Sequence, residues 1–314
     1  MKTSLCSLLG IEQPILQGGM AWIADASLAA AVSKAGGLGI ISAMNAGAEY
    51  LRDQIRTLRT MTDRPFGVNV MLMSPHVEEV AQVIAEEHVP VVTTGAGLPK
   101  TSLPLWKNAG CKIIPVVPST AMARMVERAG ADAVIAEGGE SGGHIGDLAT
   151  ITLVPQVVDV VKIPVIAAGG IADGRGVAAA LMLGAVGVQV GTRFLVADEC
   201  TVHDNYKDKV LKAKDIDTVV TGRRLGHPVR AIKNPFARQY ADMEYDMTIT
   251  NEELEAFGVG SLRRAAQEGD IKNGSFLAGQ CAGMVTKRQS AAQIIEEMMT
   301  QAEQVLAGAA QWLK

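Results

Sequence analysis

Short runs of branched apolar residues recur along the chain, each followed by a stretch patterned like a helix. The runs are 14–20 (PILQGGM), 37–43 (GLGIISA), 66–71 (FGVNVM), 89–95 (VPVVTTG), 111–118 (CKIIPVVP), 131–138 (ADAVIAEG), 163–170 (IPVIAAGG) and 187–194 (GVQVGTRF). They are rich in Val and Ile and lack strict polar alternation, the pattern of parallel strands covered on both faces. Helices are expected between them. One spans 25–35, opened by Asp25 and closed by Gly36-Gly37; another follows Ser74-Pro75 to residue 87. A third spans 119–129, with Ser119 as N-cap and Gly130 as stop, and a fourth runs from Asp173 to Leu183. Strand starts are spaced by roughly 20 to 32 residues, which predicts βα units and a parallel sheet.

Eight such units favour a closed (β/α)8 TIM barrel over an open doubly wound sheet. The eighth run ends near residue 194, leaving about 120 of the 314 residues. These hold a basic, glycine-containing stretch at 221–234 (TGRRLGHPVRAIKN), an acidic stretch, and an amphipathic helix over 290–313 whose apolar face carries Ile294, Ile295, Met298, Met299 and Val305. The expected organisation is a barrel from 1–200 and 275–314, with a small helical second domain, 201–274, inserted after strand eight as a cap over substrate and cofactor.

Composition narrows the function classes. Aromatics make up 4% and the formal charge is −4, so neither a base-stacking surface nor a basic nucleic-acid footprint is expected. The four cysteines are dispersed without C-x-x-C, which fits isolated thiols in a reducing compartment. The apolar segment 5–11 runs straight into Glu12, unlike a signal peptide. The uncharged stretch 176–192 carries several glycines and Gln189, so it reads as a helix followed by a strand. A cytoplasmic protein with no membrane span is expected. Glycine is enriched, 33 of 314 against a usual value of about 7%.

Barrels place chemistry at the C-terminal ends of their strands, often with a phosphate site after strands seven and eight. Here those ends read Ala168-Gly169-Gly170 and Gln189-Val190-Gly191-Thr192. Glycines admit close backbone approach to phosphate oxygens, and Thr192 adds a hydroxyl. The loop after strand six, Glu137-Gly138-Gly139-Glu140-Ser141-Gly142-Gly143-His144, surrounds one histidine with glycines. Alone, such a histidine is an ordinary loop residue. At a strand end it becomes a candidate hydrogen-bond or proton donor. His76, His88 and His203 are weaker candidates, and His227 lies in the basic excursion. No spacing suggests a metal centre. Gly174-Arg175-Gly176-Val177-Ala178-Ala179 matches a loose dinucleotide fingerprint, but it stands too far from its strand and reads as a helix start.

These segments resemble the type II, flavin-dependent enoyl-acyl-carrier-protein reductases within the wider nitronate monooxygenase-like family of FMN barrels. The resemblance rests on 17–22 (QGGMAW), 33–41 (SKAGGLGII), 65–73 (PFGVNVMLM), 93–97 (TTGAG), 142–146 (GGHIG), 163–174 (IPVIAAGGIADG), 188–194 (VQVGTRF), 226–234 (GHPVRAIKN) and 274–279 (GSFLAG), and covers essentially the whole chain. It implies FMN across the barrel mouth. The phosphate would lie at Gly169, Gly170, Gln189, Val190, Gly191 and Thr192, with Gly19 and Met20 along the isoalloxazine. Asn69 would hydrogen-bond the ring, and Glu137 and Gly142 would touch it from loop six. His144 matches the catalytic histidine. NADH or NADPH would be co-substrate, and acyl carrier protein the partner. The basic residues Arg223, Arg224, Arg230 and Lys233 are expected to meet cofactor phosphates or the carrier, with a solvated surface as the alternative, and His227 and Arg230 are the candidate substrate or NAD(P)H contacts. The resemblance also implies a homodimer and a monovalent cation activator, to which no particular residues point. Glutamate at 137, together with the 226–234 segment, favours the reductase over nitronate monooxygenase, the alternative on the same barrel. A non-flavin phosphate-binding barrel is the remaining alternative.

Overall fold

The structure is a computed structural model that describes residues 1–43, 47–309 and 311. Eight parallel strands form the barrel: β1 (Ile15–Gln17), β2 (Gly39–Ser42), β3 (Phe66–Met71), β4 (Val91–Gly95), β5 (Lys112–Val117), β6 (Val134–Glu137), β8 (Val165–Ala168) and β9 (Gly187–Val190), while β7 (Gly143–His144) lies in the loop after β6. Their order is β1-β9-β8-β6-β5-β4-β3-β2. A parallel bridge between Leu16 and Leu38 joins the two ends and closes the ring. Each of the eight apolar runs thus contains one barrel strand. The last run is shorter than its pattern suggests, because after Gly191 the chain winds into a 3₁₀ turn at Thr192–Val196.

The seam between β1 and β2 is thin. There the Gln17 side chain, fully buried, acts as a surrogate ladder. Its Oε1 accepts from Ile40 N at 3.1 Å, and its Nε2 donates to Ile40 O at 3.2 Å and to Gly18 O.

Helices cover the outside: α1 (Ser4–Leu9), α2 (Ala26–Lys34), α3 (Ala48–Met61), α4 (Val77–Glu86), α5 (Leu103–Asn108), α6 (Thr120–Ala129), α7 (Thr150–Val160), α8 (Gly174–Met182), and, after the excursion, α13 (Ala291–Gly308). The caps read from sequence are formed. Asp25 accepts from Leu28 N, Ser119 from Met122 N, and Asp173 from Arg175 N and Gly176 N. Ser290 and Gln293 form a capping box at the start of α13. The expected continuation of that helix to 313 falls partly outside the described residues.

The inside of the barrel is apolar, with Leu16, Leu38, Ile40, Val91, Ile114, Ile135 and Ile166 in one cluster with Leu5, Cys6 and Leu9 of α1. The segment 5–11 therefore folds as a plug across the N-terminal end, leaving only the C-terminal mouth open. All four cysteines are buried free thiols. Among the described residues no helix is long and apolar enough to cross a membrane.

The excursion holds α9 (Asp204–Leu211), β10 (Thr218–Thr221), β11 (Val229–Ile232), α10 (Pro235–Tyr245), α11 (Asn251–Gly258) and α12 (Ser261–Arg263), which runs into a π-helical turn at Arg264–Glu268. It has a small core of Phe236, Tyr240 and Leu254, with Phe257 stacked on Phe236 at 5.0 Å. Alongside its helices it carries a hairpin. The β10–β11 pair takes β7 as a third antiparallel strand, with Val229 opposite His144 and Arg230 opposite Gly143.

Candidate active site

With the bottom of the barrel plugged, the loops at the strand C-termini enclose one large cavity of about 640 Å³. That lies within the usual range of about 300–1,000 Å³ for small-molecule and cofactor sites. Gly19, Met20, Asn69, Glu137, Gly142, His144, Gly169, Gly170, Gln189, Gly191, Thr192 and His227 all line it. Val190 and Arg230 do not. The Val190 side chain belongs to the core, and its carbonyl is taken up by Gly18 N at 2.9 Å.

The β8 and β9 ends build one wall. Gly169 has φ +98° and Gly170 φ +74°, and a Cβ on Gly169 would stand 2.8 Å from both Gly138 O and Thr150 Oγ1. Only glycine takes that backbone and leaves that space. Among the described residues, no protein acceptor engages the N–H groups of Gly170, Gly191 or Thr192. The Thr192 hydroxyl is fixed by accepting from Gly279 N at 2.9 Å. Glu140, whose charge would repel an anion, is turned away: its carboxylate takes Thr150 N at 2.9 Å and Thr150 Oγ1 at 2.9 Å, capping α7. Free backbone donors, a hydroxyl and glycine-shaped space suit a phosphate monoester.

The ends of β1 and β3 offer room for a flat ring. Thr93 Oγ1 donates to Asn69 Oδ1 at 2.9 Å, which aims Asn69 Nδ2 toward Gly19 O at 3.4 Å. Met20 lies by Gly191 and contributes a polarisable apolar surface. The residues present therefore fit FMN at both its ring and its phosphate end.

Two titratable groups are shaped by enclosure. Burial pushes the Glu137 carboxyl up to about 7, and the Ser141 hydroxyl beside it draws it partly back. Ser141 Oγ is buried and otherwise unpartnered among the described residues. His144 stands at the mouth, its ring still reached by solvent. Surrounding protein and the nearby His227 both hold it below the ordinary imidazole value, so the neutral ring dominates near pH 7.

The basic stretch behaves differently from the sequence expectation that it meets ligand phosphates. None of Arg223, Arg224, Arg230 or Lys233 lines the cavity. Arg230 Nη2 and Nε donate to Gly139 O at 2.8 and 3.2 Å, and Nη1 to Thr218 Oγ1 at 3.1 Å. Arg224 is spent on Asn251 Oδ1 and Asp246 O, each at 3.0 Å, and Lys233 Nζ on Ile216 O at 2.7 Å. Arg223 pairs with Asp147 at 3.3 Å in solvent. These side chains tie loops together around the three-stranded β10–β11–β7 sheet. Conversely, the structure adds cavity residues to which the sequence assigned no role: Leu262 and Arg263, and, inside motifs already quoted, Ser141, Ala278 and the strained Ala96, at φ +59°.

The family model described as nitronate monooxygenase matches residues 2–301. The chain superposes on the structure of FabK from Thermotoga maritima with a TM-score of 0.97 and 52% identity, covering 99% of each chain. It is 36% identical to a probable nitronate monooxygenase of Staphylococcus aureus, over 97% of this chain and 98% of that one. It is 42% identical to a (3aS,4S,5R,7aS)-5-hydroxy-7a-methyl-1-oxo-octahydro-1H-indene-4-carboxyl-CoA dehydrogenase of Mycobacterium tuberculosis, over 74% of this chain and 66% of that protein's length.

Proposed function

As the chain belongs to the nitronate monooxygenase family of oxidoreductases, we propose that it is an FMN-dependent reductase of trans-2-enoyl thioesters borne on acyl carrier protein, with NADH or NADPH as donor. The observation that carries this reading is the full-length match to FabK, an enoyl-acyl-carrier-protein reductase, at 52% identity. The cavity's two walls agree with it, one suited to a phosphate and the other to a flat ring.

The net reaction consumes one enoyl thioester, one NAD(P)H and one proton, and yields the saturated thioester and NAD(P)⁺. FMN, when bound, supplies the hydride chemistry between nicotinamide and the enoyl β-carbon. The protein's part is alignment and charge. Gly170, Gly191 and Thr192 would hold the phosphate, Asn69 would hydrogen-bond the ring, and Met20 would give it an apolar surface. As hydride reaches the β-carbon, negative charge gathers on the thioester oxygen. His144, at the cavity mouth and neutral near pH 7, donates a hydrogen bond to that oxygen and guides the proton to the α-carbon. Its β7–β11 pairing fixes the backbone from which the ring projects.

The second reading, nitronate oxidation, has the family model and the Staphylococcus relative in its favour. Reconstituted protein separates the two. NADH or NADPH oxidation should depend on crotonyl thioester and exceed oxygen uptake driven by an alkyl nitronate. Nitronate-driven oxygen uptake with no thioester-dependent NAD(P)H oxidation would replace the first reading with the second.

A further inference from the structure

The mouth of the cavity carries an arginine that the mechanism does not use. Arg263 closes α12, lines the cavity, and is exposed. It is the one Lys or Arg among the described lining residues. Its guanidinium lies over the ring of Trp22, 5.5 Å from the centroid, and its Nε donates to Gln267 Oε1 at 3.0 Å. Among the described residues it has no carboxylate partner. This differs from Arg52, Arg56, Arg59, Arg64, Arg175 and Arg288, each of which pairs with an acid. The outward fork of the guanidinium is therefore held in place with its donors open.

Both sides of this contact are costly to build. Trp22 is a bulky residue at φ +62°. A left-handed backbone at such a residue costs on the order of 1–3 kcal/mol and persists where the surroundings impose it, commonly at ligand sites. Arg263 leads directly into the π-helical turn at Arg264–Glu268, a geometry found disproportionately at functional sites. Gly260, at φ +71°, starts the same segment and also lines the cavity. A stacked, ion-pair-free guanidinium with a planar fork is suited to a phosphate. The phosphate wall at β8 and β9 already has its own donors in backbone N–H groups and Thr192, so this second anion-seeking group is available to another ligand.

We propose that Arg263, braced on Trp22, is a phosphate subsite for the phosphorylated arm of a substrate. This rests on the enoyl-reductase reading for its two sources of phosphate: the phosphopantetheine arm of the thioester, or the pyrophosphate of the nicotinamide dinucleotide. Cation–π support from Trp22 holds the guanidinium at the mouth.

The test compares FMN-loaded wild type with Arg263→Gln, Arg263→Lys and Trp22→Phe. Calorimetric binding of free coenzyme A and of NAD⁺ gives a readout that needs no turnover. Loss of a charge-assisted hydrogen bond predicts weakening of about 10- to 100-fold for one of the two ligands in Arg263→Gln. Partial recovery is expected in Arg263→Lys and a smaller loss in Trp22→Phe. Whichever ligand weakens identifies the source of the phosphate. In kinetics the loss should fall on KM for crotonyl-CoA or NAD(P)H, and KM for the phosphate-free crotonyl N-acetylcysteamine thioester should stay put. Binding of both probes within two-fold of wild type overturns the proposal. So does an equal rise for the phosphate-free ester, which marks a structural role, or a weakened FMN affinity, which assigns Arg263 to the cofactor. Absence of crotonyl-CoA turnover in wild type defeats the enoyl-reductase reading alone, because the binding comparison still decides the subsite.

Discussion

At the scale of single residues, the cavity sets protonation states by enclosure. His144 is held below the ordinary imidazole value by burial and by His227. If the neutral ring is the working form, kcat/KM for enoyl reduction holds through pH 7–8 and falls only on the acid side, below the usual imidazole range. A ring that worked as imidazolium would lose activity as the pH rises, and a pH–rate profile tells the two apart. His144→Ala should lower kcat by about 10²–10⁴-fold and leave FMN binding intact, since the residues proposed to hold phosphate and ring are others. Unchanged turnover would remove His144 from the mechanism. Glu137 gives a second pH signature. Its carboxyl keeps its proton up to about pH 7 in the folded chain, against 4.5 for an unperturbed glutamate. Its stabilising contribution is full below the unfolded value and is lost as pH rises through 7. The cofactor-free protein should therefore lose at most about 2 kcal/mol between pH 5.5 and 8. Glu137→Gln, a neutral isostere, should flatten that part of the stability–pH curve measured by urea unfolding; an identical slope in the variant would show that Glu137 is not the group responsible.

At the scale of elements, the strands and the caps were legible because each depends on local signals. Val/Ile runs mark strands buried on both faces, and Asp25, Ser119, Asp173 and Ser290 cap the helices that follow them. The fingerprint-like Gly174-Arg175-Gly176 also resolves locally. A Cβ on Gly174 would stand 2.5 Å from Met298 O of α13, so that glycine serves helix packing of α8 on α13 and no dinucleotide. What was not legible rests on long-range pairing. The six residues of α1 are too few to show a periodicity, and nothing in the loop after β6 announces that Gly143–His144 pairs with a hairpin from the excursion. The catalytic candidate was found by its type and place, but the strand that fixes it was not. The β1–β2 seam belongs to the same class, since Gln17 reads as a polar residue in an apolar run until its amide is seen bridging Ile40. Gln17→Leu keeps the volume but leaves Ile40 N–H and C=O buried without partners, at about 1–3 kcal/mol for each group. A fall of the order of 3 kcal/mol in unfolding free energy is expected from denaturant titration. A loss below about 0.5 kcal/mol would mean that the seam does not depend on this side chain.

At the scale of the whole molecule, the barrel and its excursion are joined through the loop that carries His144. On one flank Glu140 caps α7 and its carbonyl accepts from Gln280 N at 2.9 Å. On the other, Ile145 N donates to Pro228 O at 3.0 Å, and Arg230 holds Gly139 O. Burial lowers the Arg230 guanidinium from its ordinary value, and Glu140 nearby opposes that loss, so the tie is made in a partly dry place where a missing donor is felt. Arg230 opposes Gly143, one residue from His144. Since Arg230 does not line the cavity, the expected effect on chemistry runs through the position of the loop. Arg230→Ala should lower kcat with little change in KM for either substrate, and should speed hydrogen exchange at Ile145 and at the β11 amides, because opening the hairpin no longer breaks the Gly139 contact. Arg230→Lys, able to reach one acceptor, should recover part of both. If KM for NAD(P)H or thioester rises instead and exchange at Ile145 is unmoved, Arg230 touches substrate and the loop is held without it.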